Sequence, residues 1–99
     1  MSRLALVLAM MTAPALAEPD AVALERLVRQ DCGACHGMTL KGGLGPAITS
    51  QALSHHTRES LAAVILDGRP GTPMPPWRPL LSAEEAAWIA EYLLKGAQQ

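Results

Sequence analysis

Apolar residues recur at helical spacing in three stretches separated by glycine- and proline-rich segments, and no stretch alternates with the period of two that marks a strand. From Pro19 to Asp31, Val22, Leu24, Leu27 and Val28 alternate with Glu25, Arg26 and Arg29, predicting an amphipathic helix with Asp20 at its start. A second helix is predicted from Thr57 to Asp67. Thr57 is its cap, Glu59 sits in its first turn, Leu61, Val64 and Ile65 form the buried stripe, and Gly68 lies just beyond its end. The third begins at Ser82, where Glu85 completes a capping box and Glu84 adds negative charge to the electropositive first turn. Its inner face is Ala86, Trp88, Ile89, Tyr92 and Leu93. Two aromatics four residues apart, in a chain without phenylalanine, suggest packing against the first helix.

The connections carry different signals. Gly42, Gly43 and Gly45 make residues 38–46 a loop that turns sharply at Gly45-Pro46. From Arg69 to Pro79 the sequence R-P-G-T-P-M-P-P-W-R-P fixes φ repeatedly and lacks many backbone donors, which predicts a stiff extended loop holding Met74 at its middle. Ahead of the first helix, Arg3, the apolar run Leu4 to Met11 and the small-residue site Ala15-Leu16-Ala17 read as a secretory signal cleaved after Ala17. The alternative, a membrane anchor, needs about 20 apolar residues, and Pro14 interrupts the end of this run. Residues 1–17 are therefore expected to be a leader and 18–99 a single all-helical domain, exported to the periplasm with no stable membrane anchor. A domain this short has little apolar interior of its own.

Loss of Arg3 leaves seven bases against nine acids, so there is no basic face for nucleic acid and no strong field to steer an acidic partner. Recognition then falls to a local patch. Chemistry is concentrated in Cys32-Gly33-Ala34-Cys35-His36. C-x-x-C-H is the attachment pattern of a c-type haem: each thiol joins one vinyl group, and the adjacent imidazole lies under the iron. A redox C-x-x-C pair or half of a zinc site leaves the histidine unexplained, and His55 and His56 have no cysteine near them. No cysteine remains for a structural disulfide. An exported compartment agrees with this, since bacteria form the thioether bonds outside the cytoplasmic membrane.

His36 is accordingly the proximal ligand, and haem c, held through Cys32 and Cys35, would supply the missing interior. A carbonyl in the 38–46 loop is a natural acceptor for the other ring N–H of His36; the same loop also reads as an ordinary surface connection. For the opposite face of the iron, Met38 is tied to the proximal side by its closeness to His36, whereas Met74 lies on an independent, pre-ordered loop. His55 and His56 are the rival ligands, and an open position is the remaining alternative. Arg69, Trp77 and Arg78 are candidates to hold haem propionates. Trp77 is the strongest of them.

The order helix, C-G-A-C-H, L-G-P loop, helix, P-M-P loop and aromatic-bearing final helix resembles a small class I cytochrome c. In that family the first and last helices cross beside the haem. The resemblance implies three to four short helices, contact of the Leu24, Leu27 and Val28 side with Trp88 and Tyr92, the Pro46 carbonyl as partner of His36, and Leu44 packed against the ring. More narrowly, C-G-A-C-H-G-M-T, K-G-G-L-G-P and D-G-R-P-G-T-P-M-P-P-W resemble the monohaem cytochrome c55X of denitrifying bacteria, which accompanies the haem-d-containing nitrite reductase. That likeness implies a non-enzymatic one-electron carrier between an upstream donor and this reductase, or an accessory factor in maturation of its d-type haem.

Overall fold

A computed structural model describes residues 18–97. The expected leader, residues 1–17, lies outside the described residues. Among those described, the regular elements are helical and none is a strand: α1 (Ala21–Leu27), a π-helical segment (Val28–Cys32), α2 (Gly33–His36), α3 (Arg58–Asp67) and α4 (Ala83–Leu94). No helix among them is long and apolar enough to cross a membrane.

The predicted first helix runs through the cysteine motif, but its hydrogen bonding changes on the way. Asp20 caps it, accepting from the Ala23 amide at 3.2 Å. The π segment follows, and the Gly33 amide closes its wide turn by donating to the Val28 carbonyl. A single wide turn of this kind rotates the side chains that follow it and is common at functional sites. Val28, at its start, is fully buried. Val22 departs from expectation at 68% exposed. At 3.6 residues per turn it stands about 200° around the helix from Leu24, so the two cannot share a face.

Thr57 and Ser82 each form the reciprocal capping box at the starts of α3 and α4. The Ser82 box has Glu85 as its second member, as predicted; at α3 that place is taken by Ser60. Helices α3 and α4 make the broadest packing in the domain, and α1 meets α4 over a narrower contact. Between them lie Leu24, Val28, Leu61, Ala62, Ile65, Leu66, Ala86, Ile89, Ala90 and Leu93, with Leu40, Ile48, Leu53 and Leu81 contributed by loops. Trp88 and Tyr92 lie half-buried at the margin of this core and stack with ring centroids 5.1 Å apart. The Tyr92 hydroxyl is buried without a hydrogen-bond partner.

Two loops wrap the same end of the bundle. The glycine-rich loop folds back under the motif: Gly42 N–H donates to the His36 carbonyl and Gly45 N–H to the Cys35 carbonyl, both at 2.8 Å. These bonds satisfy carbonyls that the end of α2 leaves open. The proline-rich loop leaves α3 through Gly68 and is strapped back onto it by Trp77 N–H to the Ile65 carbonyl (3.1 Å) and Arg78 N–H to the Leu66 carbonyl (3.0 Å). Gly68 has φ +67°, and a Cβ there would lie 2.7 Å from the Met74 carbonyl oxygen, so the strap crosses close over bare backbone.

Candidate functional site

The ends of these elements enclose a cavity of about 270 Å³. Cys32 and His36 reach it from the helical motif, Pro46 and Ile48 from the first loop, Leu61 and Ile65 from α3, Leu93 from α4, and Arg69 and Met74 from the second loop. The structure therefore brings His36 and Met74, 38 residues apart in sequence, to one mainly apolar chamber. His55 and His56 line it too.

His36 is set by its surroundings. Its Nδ1 lies 2.6 Å from the Pro46 carbonyl oxygen. A carbonyl only accepts, so Nδ1 carries the proton and Nε2 keeps a free lone pair. This is the tautomer a metal-binding imidazole needs, and the acceptor on Nδ1 raises its basicity. Gly45 lies against the ring: a Cβ there would meet His36 Nδ1 and Cε1 at 3.0 Å. Gly43 is closer still to backbone, with a Cβ position 2.8 Å from the Cys35 carbonyl oxygen. Glycines at these positions let the loop approach closely enough for Pro46 to reach the imidazole.

Cys32 is half-buried on the chamber wall and Cys35 is exposed. Burial, reinforced by the charge of Asp31, pushes the Cys32 thiol up to about 11. Reactive C-x-x-C pairs work the other way, through a depressed thiol pKa. Cys32 is shifted in the opposite direction. The described residues contain no cluster of three or more His, Cys, Asp or Glu able to hold a metal ion unaided.

Desolvation, with the charges of His55 and Arg69, holds His56 below the ordinary histidine value. Arg78, a candidate propionate partner, instead pairs with Asp67 at 2.8 Å on the surface. Two expected haem contacts also lie outside the cavity lining. Leu44 stands 96% exposed at the turn of its loop. Trp77 is drawn by its amide bond to Ile65 onto the side of the apolar core. Sequence reasoning missed Leu40, which is buried at 4% exposure with φ +61°. Its amide bonds Gly37 and its carbonyl accepts from Ile48, which anchors the loop beneath His36. Its one legible signal is an apolar residue beside Lys41 and the glycines.

A second, larger depression of about 470 Å³ lies between Pro19, the start of α3 and the outer face of α4. Arg58, Glu84 and Glu91 line it, and it contains none of the motif residues.

The donor set of the first chamber fits a haem. His36 brings an imidazole with a free Nε2, Met74 a thioether and Cys32 a thiol to its apolar walls, with the second thiol of the attachment spacing, Cys35, just outside. Comparison with known proteins agrees. The family model described as cytochrome c oxidase, cbb3-type, subunit III matches residues 19–93. A cytochrome c55X of Paracoccus denitrificans (strain Pd 1222) is 54% identical, with 96% of each chain covered. Among solved structures, the c-type cytochrome NirC superposes with TM-score 0.76 at 55% identity, covering 80% of this chain and 96% of that one. The dihydro-heme d1 dehydrogenase NirN in complex with DHE superposes with TM-score 0.69 at 36% identity, covering 76% of this chain but 16% of that one. The helical architecture is that of class I cytochromes c, and the chain belongs to the c-type cytochromes, within them to the cytochrome c55X family.

Proposed function

We propose that this chain is a periplasmic monohaem electron carrier that passes single electrons to the nitrite reductase of denitrification. In this reading residues 1–17 direct export and 18–99 form the carrier. One observation carries it: His36, with Nε2 free, and Met74 face one apolar chamber whose wall also holds Cys32. Haem c, when bound, supplies reversible one-electron chemistry.

The chain's own residues do the rest. Cys32 and Cys35 would anchor the group, which would fill the chamber and add the interior that a short helical domain lacks. His36 ligates through Nε2 while Pro46 holds its orientation. Met74 offers a thioether from a loop whose prolines have already restricted the backbone, so little entropy is lost on ligation. A thioether opposite an imidazole raises the potential relative to harder donors. Ile48, Leu53, Leu61, Ile65 and Leu93 keep water from the site, and Arg69, at its rim, is placed to meet a propionate. While both ligands stay bound, oxidation and reduction move few atoms. The chain itself makes and breaks no substrate bond.

A second reading is favoured by the likeness to a segment of dihydro-heme d1 dehydrogenase: the same redox centre serves a maturation step of the reductase's d-type haem. The partner separates the two. A carrier, reduced and mixed with mature nitrite reductase, is reoxidised in stopped-flow at rates that keep pace with nitrite turnover. An accessory is not, and its loss matters only while the reductase is being assembled.

A further inference from the structure

His56 shares the chamber with His36 and Met74, and its hydrogen bonds fix its tautomer. Ser60 Oγ accepts from the Thr57 amide at 3.0 Å and donates its proton to the Thr57 carbonyl at 3.1 Å. A hydroxyl has one proton and two lone pairs. With that proton given to Thr57, Ser60 Oγ accepts from His56 Nδ1, 3.2 Å away. Nδ1 carries the proton and Nε2 an open lone pair, the arrangement that Pro46 imposes on His36. The chamber thus holds two imidazoles prepared in the same way, one at the end of α2 and one just before α3.

The two candidate donors are held differently. His56 sits in a firm turn, its amide donating to the Leu53 carbonyl at 2.9 Å, with Ser60 locked by the capping box of α3. Met74 lies in a segment whose five prolines bring no N–H, and its carbonyl is tied by a long bond of 3.4 Å from the Arg69 amide. Arg69 lines the same chamber and its charge acts on His56, so residues from before and after α3 share this space. His55 stacks tilted against His56, with ring centroids 4.3 Å apart, and is the more exposed of the two.

We propose that His56 is an alternative axial ligand, replacing Met74 when the proline-rich loop moves away. The proposal rests on the haem reading above, with His36 as the constant ligand. The exchange substitutes one neutral donor atom for another and moves no proton, because Nε2 is already unprotonated. Imidazole is the harder donor and favours the oxidised state, whereas the thioether favours the reduced one. A carrier built in this way has a lower-potential form available whenever Met74 is displaced.

The test uses holoprotein matured in cells, with ferric optical and electron paramagnetic resonance spectra and potentiometry. Met74→Ala is expected to stay low-spin with a bis-imidazole signature and a lowered potential. Met74→Ala/His56→Gln, which keeps a polar side chain beside Ser60, is expected to become high-spin, and added imidazole to return it to low spin. Met74→Ala/His55→Ala is expected to remain low-spin. A high-spin Met74→Ala protein overturns the proposal, as does a double variant that stays low-spin without His56. Wild-type protein with no covalently bound haem overturns the haem reading beneath it, and the c-type absorption spectrum separates that failure from the first.

Discussion

Gly37→Ala is the substitution whose cost the geometry specifies most closely. Gly37 ends the cysteine-motif helix with φ +90°, and a Cβ built there falls 2.4 Å from the Gly42 carbonyl oxygen. Real contacts of that kind do not occur, and both partners are backbone, so the loop itself must move. Placing alanine at positive φ costs about 1–2 kcal/mol. Moving the loop also strains the Gly42 N–H bond to the His36 carbonyl and the Leu40 bond to Gly37, both 2.8 Å. Each is worth roughly 0.5–1.5 kcal/mol. The sum is about 2–5 kcal/mol, which for a domain of this size lowers Tm by roughly 8–40 °C. Gly71→Ala is the control: φ is +79°, but nothing lies within 4 Å of its Cβ position. It is expected to lose only about 1–2 kcal/mol. Thermal unfolding of holoprotein followed by circular dichroism compares the two. Equal Tm losses would refute the reasoning that close approach of Gly37 to Gly42 holds the loop under His36.

Further outcomes follow from individual contacts. Tyr92→Phe removes a buried hydroxyl that has no partner and keeps the ring stacked on Trp88, so urea denaturation should show unchanged or higher stability; a loss above ~1 kcal/mol would reveal a hidden partner. Arg78→Ala breaks an ion pair whose side chains are 60% and 59% exposed, and is expected to change stability by under ~1 kcal/mol in the same assay. In protein from which haem attachment has been withheld, Cys32, with its thiol pushed up to about 11 from 9.0, is expected to alkylate near pH 8 about 100-fold more slowly than an unfolded cysteine. Mass spectrometry should find exposed Cys35 labelled first. Because this pKa is raised on folding, its contribution to the stability of that form is complete below pH 9 and is lost as pH rises through about 11.

Much of this arrangement is legible along the chain because local chemistry dictates it. The caps at Asp20, Thr57 and Ser82 announce three helix starts, and each accepts the expected backbone bond. The glycines before Pro46 signal a loop free to approach closely, and the Nδ1 contact of His36 is made where the class I resemblance placed it. Spacing says less about rotation and tertiary contact. Val22 fits an apolar count but not the face, and the π turn that re-aims Cys32 and His36 has no composition of its own. Leu40 is buried although no periodicity marks it, because loop hydrogen bonds orient this segment. His55 and His56 are equal rivals along the chain, and only the fold sets them apart by placing Ser60 beside His56 Nδ1.

The central claim is that His36 and Met74 together hold one haem between the two loops. The most direct test is the near-infrared absorption of oxidised holoprotein, recorded before and after reduction. The account predicts the weak charge-transfer band of a methionine-ligated ferric haem, present in the oxidised wild-type protein, lost on reduction and absent from Met74→Ala. A wild-type protein without that band, or a Met74→Ala protein that retains it, would contradict the account.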